Sequence, residues 1–290
     1  MNRILSDLVD LLDLETIEQN IYRGQSRDLG GKSVFGGQVI GQGLVAARRT
    51  VLDQVPHSLH AYFLRPGDMA TPIVYEVERV RDGRSFSTRR VHAIQHGQPI
   101  LTMIASFQKE EGGLDHQAQM PQVKQPEELP TLLECAEKWV QEAPEVSDRA
   151  RSTLLREVPI EFKPVQPWNP LLNEKREPAQ HIWFRAPGKL PDDPLLHRCV
   201  LAYASDFNLL STALLPHGMG WFRNDMVVAS IDHALWFHRD VRVDDWLLYS
   251  MDSPSAQAAR GFSRGLIFDR QGRLVASTTQ ESLMRHLETP

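Results

Sequence analysis

Apolar residues at Leu8, Leu11 and Leu12, preceded by Ser6 as a candidate N-cap, predict a short amphipathic helix at the start of the chain. A strand through Ile21 and Tyr22 follows. The segment SVFGGQVIGQGLVAARRTV returns to helical spacing, with Val39, Leu44 and Ala47 on one face and the paired Gly36 and Gly37 at its entrance. From His57 to Gln108 the pattern changes to period two. HSLHAYFLRPG, PIVYEVERVRDG, SFSTRRVHAIQHG and PILTMIASFQ, separated by PGD, DG and HGQP turn signals, predict four antiparallel strands. A polar, proline-punctuated stretch runs from Lys109 to about Pro159, and LLECAEKWVQEA within it reads as a helix.

The pattern then starts again. IEFKPV and HIWFRAP read as strands, ASDFNLLSTALL as a helix, and VVASIDHALWFH, WLLYSMD, ARGFSRGLIFD and LVASTTQES as four more strands. His60 and Ala61 match His233 and Ala234 at an offset of 173, and Gln108 matches Gln280 at an offset of 172. A period this long is no solenoid, so it predicts a duplicated domain. The fold class is α+β, two tandem copies of a bent antiparallel sheet wrapped around a central helix. The expected division is residues 1–110, a linker with a helical insert at 111–157, and residues 158–290.

Composition narrows the function classes. With 37 acidic against 32 basic residues the net charge is −5, which argues against a general nucleic-acid binder with a broad cationic face. Cys135 and Cys199 are the only cysteines and form no CxxC pair, so neither a disulfide framework nor a cysteine-rich zinc site is on offer and a reducing compartment is expected. Asp7, Asp10 and Asp13 interrupt the first apolar stretch as no signal-peptide core would. No stable membrane insertion is expected, and the C-terminal Glu288, Thr289 and Pro290 lack an SKL-type address, so the expected location is cytoplasmic.

Several residues invite chemistry. Gly261 to Gly265 spells GxSxG, but the nucleophile elbow needs strand, turn and helix, whereas here a strand is followed by a turn and another strand. His57 with His60, and Asp232 and His233 with His238, suggest a metal. Residues an odd number apart on a strand point to opposite faces, so no metal site is expected and these histidines read as buried or interface residues satisfied by hydrogen bonds. Cys199, alone among apolar neighbours, reads as a small hydrophobe. Asp206 in YASDFNLL stands at the expected start of a helix, where it serves either as a cap or as a general base beside the helix's positive end. Ser230 and Gln280 taken alone read as ordinary polar residues of strands.

The segments FGGQVIGQGL, HAYFLRPGD, GRSFSTRRVHAIQHG, ASDFNLL, IDHALWFHR and VASTTQE, in this order and spacing, resemble the type II acyl-CoA thioesterases over nearly the whole chain. The resemblance implies a double hotdog fold and hydrolysis of fatty acyl-CoA to free fatty acid and CoA. It implies a water held by an aspartate, a hydroxyl and a glutamine, which fall on Asp206, Ser230 and Gln280. Threonine is the more familiar hydroxyl there, and Ser230 keeps its donor and acceptor oxygen. Gly36 aligns roughly with Asp206, so the first half lacks a base and one active site per chain is expected. Gly36 and Gly37 become candidates for close approach of substrate to the backbone, and Arg65, Arg89, Arg90, Arg260 and Arg264 for the CoA phosphates. No cofactor and no metal are implied, and a homo-oligomer, commonly a tetramer, is.

Two other readings compete. A hotdog enoyl-CoA hydratase would need a DxNPxH-like acid/base pair, which neither WNPLL nor SDFNLL supplies. A non-catalytic acyl-CoA-binding or assembly module would be marked by loss of Asp206 or Gln280, and both are present.

Overall fold

A computed structural model describes residues 3–220, 222 and 225–287, so the C-terminal tripeptide considered above lies outside the described residues. Helix α1 (Arg3–Leu12) buries Leu5, Leu8, Leu11 and Leu12, the stripe expected of an amphipathic helix. Strands β1 (Glu15–Glu18) and β2 (Ile21–Gly24) follow, then α2 (Gly36–Arg48) and β3 (Val55–Phe63), β4 (Ile73–Asp82), β5 (Phe86–Gln95) and β6 (Gln98–Gln108). The linker carries α3 (Leu132–Glu142), closed at its start by a Thr131/Glu134 capping box, and an unpredicted short helix α4 (Asp148–Leu154).

The second half has β7 (Glu161–Pro164), β8 (Ala179–Arg185), α5 (Pro194–Ser205), α6 (Leu209–Leu214), β9 (Met226–Ser230), β10 (Asp232–Phe237), β11 (Leu247–Gln257), β12 (Arg260–Asp269) and β13 (Leu274–His286). All thirteen strands form one sheet in the order β1-β2-β4-β5-β6-β3-β10-β13-β12-β11-β8-β7, with β9 also on β13. The first six positions mirror the last six, as the duplication predicts. The halves join where β3 and β10 run antiparallel, with His233 opposite Ala61 and Ala234 opposite His60.

That register corrects the residue match on which the repeat was read. Residues directly opposite each other share a face, so His60 shares one with Ala234 and His233 shares the other with Ala61. His60 is exposed and His233 buried. Gln108 is half-exposed while Gln280 is buried. The element order repeats, but these residue pairs are out of phase, and a slip of one position is enough to exchange the faces of a strand.

Helices α2 and α5 cross antiparallel inside the bend of the sheet. A Cβ on Gly37 would lie 2.3 Å from the Tyr203 carbonyl oxygen, and one on Gly41 3.3 Å from that of Cys199. Gly37 therefore serves helix packing in this fold. Gly37→Ala is expected to destabilise the protein by about 1–3 kcal/mol, outweighing alanine's helix-propensity gain of about 0.5–1 kcal/mol, because the obstacle is backbone. A lowered urea midpoint at unchanged m checks it. The stretch Pro194–His217 is apolar and long enough to span a membrane by composition, yet 83% of its most apolar window is buried in the protein, as befits a core helix pair.

Candidate active site

Asp193 caps α5 by accepting from the Leu195 N–H, Pro194 opens the helix, and nearly every residue from His197 to Ser205 is buried. The helix stops at Asp206, its C-cap; Asn208 then takes a left-handed conformation (φ 71°) and α6 begins. This corrects the expectation that Asp206 opens a helix. The amide beside its carboxylate, that of Gly37, comes instead from the other half of the chain, at the start of α2, whose N-cap Phe35 makes no side-chain cap. A Cβ on Gly36 would sit 2.7 Å from Asp206 Oδ2 and 2.7 Å from the Phe63 ring, so glycine is what lets the carboxylate reach this helix end.

Burial raises the proton affinity of the Asp206 carboxyl above its ordinary value. The Gly37 amide and the Ser230 hydroxyl pull in the other direction, as any positive charge on the nearby His233 ring would. Asp206 Oδ1 is buried without a hydrogen-bond partner in the protein. Such an acceptor calls for an incoming donor.

Ser230 and Gln280 are brought to this carboxylate by an irregularity in the sheet. Ser230 stands opposite Ser282 and Ala234 opposite Thr279, so five residues on one strand face four on the other. The extra residue is a β-bulge at Ile231, whose N–H still bonds the Glu281 carbonyl and whose carbonyl accepts from Phe63. The bulge overrides the alternation rule, and Ser230 and His233, three positions apart, both reach Gln280. Gln280 Nε2 donates to Ser230 Oγ at 2.8 Å and lies 3.3 Å from Ser282 Oγ. Its Oε1 is 2.9 Å from His233 Nδ1, and His233 Nε2 is 2.9 Å from Ser205 Oγ. Tyr249 on β11 donates to the Ser205 carbonyl at 2.9 Å and contacts Thr278 Oγ1 at 2.7 Å, fixing the end of α5 from which Asp206 projects.

The structure thus brings Asp206, Ser230 and Gln280 together, and Gly36 and Gly37 against them. His233, for which the sequence suggested a buried histidine satisfied by hydrogen bonds and no catalytic part, belongs to the same cluster, as do Ser205 and Tyr249. Among the described residues no group of three or more His, Cys, Asp or Glu is arranged as metal ligands. Ser263 of the GxSxG segment is buried in mid-strand and bonds the Leu209 carbonyl at 2.8 Å. Cys199 is buried and its thiol is pushed up to about 12 by burial.

The arginines separate. Arg90 pairs with Glu78 (2.7 Å), Arg260 with Glu281 (2.9 Å) and Arg264 with Asp252 (2.6 Å), and Arg65 donates to the Pro99 carbonyl at 2.8 Å. These four lie at least partly open to solvent. Arg89 does not: at 1% exposure it donates to Thr50 Oγ1, to the carbonyls of Thr50, Arg81 and Thr88, and to Asp82. Its guanidinium is spent inside the protein, and the phosphate-binding expectation for it is withdrawn.

Known proteins share this arrangement of chain. A family model described as "Acyl-CoA thioesterase" matches residues 155–283, and one described as "Acyl-CoA thioesterase N-terminal domain" matches residues 25–108. The chain is 43% identical over 289 residues to "Acyl-CoA thioesterase 2" of Haemophilus influenzae, covering 99% of this chain and 100% of the relative. It is 42% identical to human "Acyl-coenzyme A thioesterase 8" over 95% of this chain and 88% of that one. The crystal structure of acyl-CoA thioesterase II TesB2 from Mycobacterium marinum superposes with a TM-score of 0.77 at 42% identity, covering 96% of this chain and 98% of the other. A hot dog fold protein of unknown function from Alicyclobacillus acidocaldarius, 19% identical over 98% of both chains, has a TM-score of 0.75 and supports the double hotdog fold alone.

Proposed function

Since the chain belongs to the acyl-CoA thioesterase family and is an acyl-CoA thioester hydrolase, we propose that Asp206, Ser230 and Gln280 activate one water for direct attack on the thioester carbonyl. The observation that carries this reading is Asp206 Oδ1, a buried acceptor with no protein partner, beside a hydroxyl already oriented by Gln280. Asp206 accepts one proton from the water while its oxygen bonds to the carbonyl carbon. The carbonyl electron pair moves to oxygen, where the positive end of the α2 dipole stabilises the developing charge. Collapse of the intermediate breaks the carbon–sulfur bond. The proton held by Asp206 leaves with the sulfur, giving a carboxylic acid and CoA thiol. Thiols ionise near the reference of about 8.5 for cysteine, so the leaving group needs no strong acid.

Further parts of the reading concern binding and setting. Arg65 follows β3 close to Phe63, which bonds Ile231 in the bulge, and Arg260 pairs with Glu281, the neighbour of Gln280. Arg65 thus flanks the site and is the leading candidate for the CoA phosphates; Glu281 points to the opposite face of its strand from Gln280, so Arg260 stands with Arg90 and Arg264 as a candidate farther from the site. Exposed ion pairs are weak enough to be exchanged for a phosphate. A homo-oligomer, tetrameric as the resemblance implies, and a cytoplasmic setting suited to two unpaired cysteines complete the picture.

Isotope labelling tests the chemistry. In a single turnover in H2(18)O, direct attack places the label in the released carboxylic acid and none in the protein. Label in the Asp206 carboxyl, seen by peptide mass spectrometry, would mean an acyl-aspartyl intermediate and overturn the mechanism.

A further inference from the structure

We infer that His233 is a positioning residue of this enzyme, which sets the orientation of the Gln280 amide and so directs the Ser230 hydroxyl proton toward Asp206; this rests on the role proposed for Gln280.

A glutamine amide has nearly the same shape either way round, and its partners decide which end points where. At one end Gln280 meets the Ser230 hydroxyl, which can donate or accept; at the other it meets His233 Nδ1, at 2.9 Å. If Nδ1 carries the hydrogen, Oε1 turns to it and the NH2 group faces Ser230. Ser230 Oγ then accepts from Gln280, and its own proton is left for the carboxylate. If Nδ1 is the bare nitrogen, two acceptors oppose each other, the amide turns over and Ser230 must donate to Gln280 instead. Asp206 loses a donor.

The first arrangement is the one that leaves Ser230 a proton for its hydrogen bond to Asp206, and the other side of the ring can supply it. His233 Nε2 is 2.9 Å from Ser205 Oγ, a group able to donate its single proton to a bare nitrogen. That hydroxyl also lies 3.0 Å from the Ala202 carbonyl, so its proton has two acceptors to choose between. Donation to Nε2 leaves Nδ1 as the N–H of a neutral ring. Ser205 immediately precedes Asp206, so the residue that steers the ring is joined to the base by one peptide bond. His233 and Gln280 are each only 1% exposed, so bulk solvent does not stand in for the partner of either. His60, which faces solvent on the opposite side of the sheet, has no such partners and packs edge-on against Trp236.

The experiment is a set of full-length variants assayed by thiol release from decanoyl-CoA, with melting temperature and circular dichroism recorded for each. His233→Leu removes both ring nitrogens. It is expected to lower kcat on the order of 10–100-fold, a loss typical of a group that orients a contacting residue, with KM within about twofold. His233→Asn, whose amide nitrogen falls near the place of Nδ1, is expected to recover most of that loss although it restores no partner for Ser205. In a Gln280→Ala background His233→Leu is expected to cost no further rate, because the side chain it orients is gone. If the two losses multiply, or if a folded His233→Asn is as slow as His233→Leu, the inference falls. Wild-type kcat in Gln280→Ala would instead sink the role of Gln280 itself, whereas a slow Gln280→Ala beside a normal His233→Leu removes only His233.

Discussion

Asp206→Asn is expected to lose kcat/KM on the order of 10²–10⁴-fold, the usual contribution of a positioned general base, and to melt at a higher temperature than the wild type. The two effects have one origin. Burial raises the folded-state proton affinity of this carboxyl above that of the unfolded chain. A raised folded value means that the folded state holds the proton more tightly, so stability falls as pH rises through the window between the unfolded and folded values. At neutral pH the wild type bears the cost of the buried charge, and asparagine does not. The gap in melting temperature is therefore expected to close when both proteins are scanned at a pH below that window. The same displacement sets the acid side of the rate profile: wild-type kcat/KM should fall on acidification at a pH above the range of an ordinary aspartate. An Asp206→Asn protein that melts below the wild type at neutral pH, or that retains activity, would contradict the assignment.

Arg89→Ala is expected to cost about 3–5 kcal/mol of stability, because removing one member of a buried charged network strands the groups it satisfied. The bonds at stake tie Thr50, just beyond the end of α2, to β4 and β5. For a chain of this size the loss should appear as a drop in melting temperature on the order of 10 °C. KM for acyl-CoA measured well below the transition should stay at the wild-type value, since no N–H of Arg89 reaches the surface. A raised KM at unchanged melting temperature would return Arg89 to the phosphate site. Arg89→Lys is not expected to restore stability, because a single ammonium cannot serve the spread of acceptors that the planar fork reaches.

Arg89 and its neighbour Arg90 show where reading the sequence stops. In SFSTRRVHAIQHG the alternation is plain, yet which of two adjacent arginines faces inward depends on register, and register is settled by pairing with β4 and β6. Most strands, the order of the two halves and the helices at α1, α2 and α3 were legible because each has a clean period or a cap, whereas β1 was not read and VVASIDHALWFH, read as one strand, is broken at Ile231 into β9 and β10. Helix α5 was not. Its sequence PLLHRCVLAYAS is buried on nearly all sides and shows no amphipathic rhythm, so only its continuation was read as helix and Asp206 was placed at the wrong end. The trio Asp206, Ser230 and Gln280 came from resemblance to a family and not from spacing. The approach of His233 to Gln280 and Ser230 could not be read from spacing, for the bulge at Ile231 carries neither glycine nor proline to announce it. The short helix α4 has only a serine cap and too few turns to stand out.

The aspartate belongs to one half of the chain, and the helix start that receives it belongs to the other. A gene encoding residues 158–290 alone would therefore keep every proposed reacting side chain and still make a damaged enzyme. Under the proposed mechanism the first half works without a base of its own, by supplying the surface on which the second half's base is seated. Carrying both on one polypeptide delivers each catalyst with its helper attached, in equal number.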